Sequence, residues 1–99
     1  MNEAERAIAA LRGRFLERLP SERAALAQAM RDPGRAGLQH LAHRLAGSAG
    51  VFGFPELSRA AGAVDVALGG PRAAADLAAA LSALTAEIDA ALAAGDGGK

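Results

Sequence analysis

Apolar residues recur at spacings of three and four through most of this chain, which restricts it to helices. Leu38, Leu41, Leu45, Ala49 and Phe52 form one series, and Leu77, Leu81, Leu84, Ile88 and Leu92 form another. Each reads as the buried stripe of an amphipathic helix. Alanine, the best intrinsic helix former, fills 28 of the 99 positions. Val, Ile and Thr are sparse and the aromatics are three phenylalanines, which leaves little from which to build a sheet. The core must be leucine and alanine packed between helices. Alanine lets helix axes approach but buries little area, so modest stability is expected.

The pattern predicts five helical stretches. The first runs from about residue 2 to 19, with Asn2 as N-cap and Ile8, Leu11 and Phe15 on one face. Pro20 predicts a break or kink, because the residue before proline avoids the helical region. A second helix over about 21–31 turns Leu26 and Met30 inward. Asp32-Pro33 then reads as an acidic cap with proline at the first helical position, opening a helix to about Val51 whose true start can be as late as Ala36. Gly53 is set for the left-handed position that ends it, and Pro55 and Glu56 suit the first turn of the next. That fourth helix buries Leu57, Ala61, Val64 and Leu68. After a turn at Gly69-Gly70-Pro71, the fifth runs from about Arg72 to Ala93. Short loops favour antiparallel neighbours. The expected fold is therefore all-α, an up-down antiparallel four-helix bundle with an additional N-terminal helix, over residues 1–94. Residues 95–99 are expected to form a flexible tail.

Lys plus Arg and Asp plus Glu each number 11, so the net charge is zero. That argues against nucleic acid or an anionic membrane as partner. With no cysteine there is no disulfide framework, thiolate metal site or cysteine nucleophile. No unbroken apolar run approaches 18 residues, so no membrane span is expected; a cytoplasmic, monomeric protein is.

His43 stands out against this frame. At about 100° per residue it points roughly 150° from the middle of its helix's apolar stripe. Its neighbours within the next two turns include Ala46, Gly47 and Gly50. Each glycine inside a helix costs roughly 1 kcal/mol relative to alanine, so a helix that accepts two beside one exposed imidazole points to a need for access to that ring. An imidazole with one unprotonated nitrogen is a nucleophile near neutral pH. His40, one turn earlier, makes a His-x-x-His pair, but no third or fourth ligand accompanies it, so no metal is expected.

The run Ala42-His43-Arg44-Leu45-Ala46-Gly47-Ser48-Ala49-Gly50 resembles the motif of histidine-containing phosphotransfer (HPt) domains, Ala-His-x-Leu-Lys-Gly-Ser. The resemblance implies that His43 accepts a phosphoryl group from a receiver aspartyl phosphate and passes it to another receiver. Such a domain has no kinase activity and no cofactor of its own, with magnesium on the receiver only. The implied docking face carries Gln39, His40, Arg44, Ala46, Gly47 and Gly50. One departure stands out: Ala46 occupies the position of the family's lysine, which leaves Arg44, Arg59 or a lysine of the partner as substitutes. Gly50 to Phe54 also resembles the phosphotransfer domain of chemotaxis kinases, in which a glutamate on the next helix bonds the histidine. Asp65 occupies that position here, and the likeness gives an alternative in which a kinase's ATP-binding domain phosphorylates His43 directly. A helical adaptor that has lost phosphorylation is a further alternative, which Ala46 favours.

Overall fold

The computed structural model describes residues 1–32, 34–70 and 74–97. They form four helices: α1 (Glu3–Met30), α2 (Ala36–Val51), α3 (Pro55–Gly69) and α4 (Ala74–Gly97). Among the described residues there is no strand. The helices close a ring in which α1 packs on α2, α2 on α3, α3 on α4 and α4 on α1. The all-α, up-down bundle is the expected one, but its separate N-terminal helix is not there.

Instead, the two helices predicted on either side of Pro20 are one. Proline in a helix interior removes a backbone hydrogen bond and costs about 3 kcal/mol, yet α1 runs through it. Side chains on both sides of Pro20 are tied to the same bundle. Phe15, Leu19 and Leu26 are all buried in one core. Just past the proline, Arg44 on α2 donates to both carboxylate oxygens of Glu22 at 2.9 Å, and Arg23 donates to Asp89 on α4 at 2.7 and 3.2 Å. The Arg23 hydrogen bond holds the Asp89 carboxyl below its ordinary value. Tertiary contact therefore overrides the local break. Met30, expected to face inward, is 47 % exposed at the far end of α1.

At its other end, α1 starts with a capping box. Asn2 accepts from the Glu5 amide at 2.8 Å, and Glu5 accepts from the Asn2 amide at 3.4 Å. A 28-residue helix is about 42 Å long, close to the 47 Å long axis of the molecule. Its first turns overrun the bundle, so Ile8 and Leu11 are exposed and only Phe15 of their predicted face is buried.

The core contains the leucines of the predicted stripes: Leu38, Leu41 and Leu45 on α2, Leu57 on α3, and Leu77, Leu81 and Leu84 on α4, with Val64 and Ile88. Phe52, Leu68 and Leu92 are half-buried against it. α2 begins at Ala36 with Arg35 at the N-cap in the left-handed region (φ 59°) and no side-chain cap bond. Pro33, Pro71 and Arg72, invoked in the predicted helix starts and turn, lie outside the described residues. α4 continues to Gly97, beyond the predicted onset of a tail at residue 95.

The window Asp76–Ala94 of α4 is long and apolar enough to cross a membrane by length and composition (mean hydropathy 1.5). It is not an unbroken apolar run, because Glu87 and Asp89 interrupt the stretch. Much of its hydropathy comes from alanine, and its Leu77, Leu81, Leu84 and Ile88 belong to the bundle core.

The α2–α3 corner fixes the relation of the two helices that bear the site. Gly53 has φ +82°, and the Phe54 amide donates back to Ala49 O at 2.8 Å, a Schellman-type closure. Phe52 and Phe54 rest on Phe15 with ring centroids 5.9 and 5.2 Å away. Arg12 clamps the corner from α1: its Nε donates to Phe52 O at 2.8 Å, and its guanidinium lies 4.7 Å from the Phe54 ring centroid. A Cβ on Gly53 would sit 3.5 Å from Arg12 Nε, an ordinary contact, so Gly53→Ala adds backbone strain alone. The expected loss is about 1 kcal/mol, read as a melting temperature lower by about 4–8 °C.

Candidate functional site

His43 lies near the middle of α2, on the face turned from Leu38, Leu41, Leu45 and Ala49. Its side chain is 80 % exposed. The ring is nevertheless held. Nδ1 lies 3.1 Å from Asp65 Oδ2 on α3, whose side chain is 30 % exposed. A carboxylate only accepts hydrogen bonds, so this contact requires the proton on Nδ1. In the neutral ring that leaves Nε2 with the free lone pair, on the side away from Asp65. The arrangement is that of an oriented nucleophile: one nitrogen fixed by a carboxylate and the other open to solvent.

Asp65 reaches His43 because Ser58, seven residues earlier and so on the same face of α3, ties the helices together. Ser58 Oγ donates to Ala46 O at 2.6 Å. Opposite it, a Cβ on Gly50 would stand 3.3 Å from Ser58 Oγ. Gly50 thus permits a close α2–α3 approach, a use that the sequence reading did not assign to it. Ser58 and Arg12 also hold the site in place, and neither carries a motif that marks it as doing so. The seven-residue interval between Ser58 and Asp65 was the available signal for the first; for Arg12, nothing local marks a contact with the carbonyl of Phe52.

The other candidates on α2 divide between a ring-side face and its flanks. Gly47 is exposed, and a Cβ there would meet nothing within 4 Å. Gln39 and His40 are exposed in the preceding turn, and Gln39 Nε2 lies 3.8 Å from the position of a Cβ on Gly69. Ala46 is half-buried and packs against the core. The two arginines considered as stand-ins for a lysine at position 46 are bound elsewhere. Arg44 turns to Glu22 on α1, and Arg59 pairs with Glu56 at 2.6 Å in the first turn of α3. Among the described residues, no cation bonds His43 or Asp65, and no group of three or more His, Asp or Glu side chains is arranged to hold a metal ion.

The family model described as Hpt domain matches residues 10–94. The span takes in α2, α3, the His43–Asp65 pair and most of α1 and α4. The chain therefore belongs to the Hpt domain family, and its role is histidine phosphotransfer in two-component signalling. Domains of this family are phosphocarriers without catalytic activity of their own and interact with receiver domains of two-component proteins. No curated protein and no solved structure is significantly similar to the chain.

Proposed function

We propose that the chain is a cytoplasmic phosphorelay carrier that takes a phosphoryl group on His43 Nε2 from a receiver aspartyl phosphate and delivers it to another receiver. The observation that carries this reading is the exposed His43 ring held through Nδ1 by Asp65. In the loading step the Nε2 lone pair attacks phosphorus, the P–O bond to the receiver's aspartate breaks, and that carboxylate leaves with the electron pair. The Nδ1 proton stays in place, and Asp65 offsets the positive charge that develops on the ring. Delivery is the reverse: a carboxylate of the next receiver attacks phosphorus, and Nε2 takes back its electron pair. Because Nδ1 keeps its proton, the leaving group is neutral imidazole.

The chain has only to present the nucleophile in line, with little bulk around it. Gly47 leaves that space, and the half-buried Ala46 leaves the approach without a long side chain. Gln39 and His40 border the ring on the preceding turn and are proposed to contact the receiver. The divalent cation belongs to the receiver's acidic pocket. With Arg44 and Arg59 engaged by carboxylates, no arginine among the described residues stands beside His43 to supply a strong counter-charge to the phosphoryl group. A carrier that passes the group on has no need to store it. The test is incubation with a phosphorylated receiver, followed by mapping of acid-labile phosphate. Label on His43 supports the reading, and its absence overturns it.

The His43–Asp65 contact also favours a second reading, direct phosphorylation by a kinase's ATP-binding domain, as the resemblance to chemotaxis kinases implies. The two differ in the donor that works, a phosphorylated receiver or a kinase with ATP.

Under either reading Asp65 positions the nucleophile. Asp65→Asn replaces an acceptor-only group by an amide that can also donate to Nδ1 and so favour the other tautomer. Phosphorylation of His43 is expected to slow by about fivefold, the equivalent of the roughly 1 kcal/mol at the upper end for an exposed ion pair. Nitrogen NMR of the ring is expected to show the proton redistributed between Nδ1 and Nε2. An unchanged rate with an unchanged tautomer would remove Asp65 from the site.

A further inference from the structure

Residues 1–12, which comprise the N-cap Asn2, the residue before it and the first turns of α1, are exposed. The helix overruns the end of the bundle, which is marked by the Arg12 contact with Phe52 O. The projecting segment still carries an apolar stripe. Ala4, Ile8 and Leu11 follow one another at spacings of four and three and lead into the buried Phe15, while Met1 stands before the N-cap Asn2, outside the helix. Met1 is 75 % exposed, Ile8 54 % and Leu11 42 %. The match to the Hpt family begins only at residue 10, so most of the projection lies outside the family's domain.

We propose that this projection pairs, weakly and antiparallel, with the same segment of a second copy of the chain. The charges select both occupant and direction. At about 100° per residue, Glu5 and Arg12 fall on one flank of the stripe, and Glu3 and Arg14 on the other. In an antiparallel two-fold pair each flank meets the same flank of the second copy. The register that sets Ile8 against Ile8 brings Glu5 opposite Arg12 and Glu3 opposite Arg14, reciprocally, so opposite charges meet along both edges. A parallel pair would set each charge against its own kind. The same register fits shape, since Leu11 lies over the small Ala4. Arg12 is free to take part, because its bond to Phe52 O uses only Nε of a guanidinium with five N–H donors.

A stripe of about two helical turns is smaller than the roughly 800 Å² per partner of a stable interface. The pair is therefore reversible: the monomer expected from the sequence prevails at about 10 µM, and association appears toward about 1 mM. His43, nine residues before Phe52 and so about 13 Å from this end of α2, stays open in the pair.

Sedimentation equilibrium of the full chain at low salt, from about 10 µM to about 1 mM, tests this. The mass is expected to rise toward that of two copies. Ile8→Gln, at an exposed position, is expected to keep the chain monomeric with unchanged circular dichroism. Glu3→Arg and Arg14→Glu are each expected to weaken self-association by at least about fivefold. An equimolar mixture of those two variants is expected to associate again, because each then meets opposite charge. A monomer at the highest concentration, association that survives Ile8→Gln, or a mixture no tighter than its components would overturn the proposal.

Discussion

His43→Gln is expected to abolish phosphorylation of the chain and to leave its fold intact. Glutamine keeps a polar side chain of comparable reach but offers no ring nitrogen to attack phosphorus. No second nucleophile of this kind stands at the site: His40 lies one turn away with no carboxylate bonded to it. The fold should not register the change, because the His43 side chain is 80 % exposed and its one bond is to Asp65. An exposed pair of this kind contributes about 1 kcal/mol or less, and Asp65, itself 30 % exposed, can be hydrated in its place. The melting temperature should thus fall by no more than about 4–8 °C. Two measurements check this: acid-labile phosphate after incubation with a phosphorylated donor, and a thermal melt. A variant that still acquires such phosphate would show that His43 is not the acceptor. One that unfolds would show that the residue belongs to the core.

The stripes of α2, α3 and α4 were legible because apolar spacing reports directly on which side of a helix is buried. His43 was legible for the complementary reason, as a polar ring on the opposite side with glycines beside it. Gly53 was legible because a left-handed corner is costly for other residues. What was not legible depended on contacts between helices. Pro20 is a local stop signal, and only the buried Phe15, Leu19 and Leu26 and the ties of Glu22 and Arg23 to other helices explain a helix that passes through it. Ile8 and Leu11 continue the periodicity of Phe15, yet a stripe does not reveal where its partner ends. Asp65 was legible only through the resemblance to the chemotaxis-type domain: by helical position it lies about 80° from the α3 stripe, on a flank, and the crossing of α2 and α3, fixed by Ser58 and Gly50, determines that the flank faces His43. Arg44 was in range of the site by helical position, but the carboxylate that takes it lies on α1; Arg59 is taken within its own helix by Glu56 three residues earlier, a pairing that the spacing does show.

The sharpest test of the docking face is Gly47→Leu, which is expected to slow phosphotransfer with a receiver by about a hundredfold. Gly47 stands one turn after His43, and the space where its side chain would begin is empty to 4 Å. On the proposed relay, a leucine there would occupy the volume through which a receiver brings its phosphoaspartate into line with Nε2. A misplacement of about 1 Å in such a geometry can cost about 10² in rate. The effect is steric rather than a loss of fold, because leucine is a better helix former than glycine by somewhat under 1 kcal/mol, and the position is exposed with no strained backbone angle. The variant should be slightly more stable than the parent while failing to exchange phosphate with its partner. Phosphoramidate, a small donor that needs no docking, should still label His43 in the variant, which separates blocked access from a damaged nucleophile. Gly47→Ala, with one methyl group, should fall between the two. Receiver transfer that is unchanged in Gly47→Leu would mean that partners approach from another side, along the flank of Gln39 and α3. Labelling by phosphoramidate that is lost together with receiver transfer would mean that the leucine disturbs the ring itself.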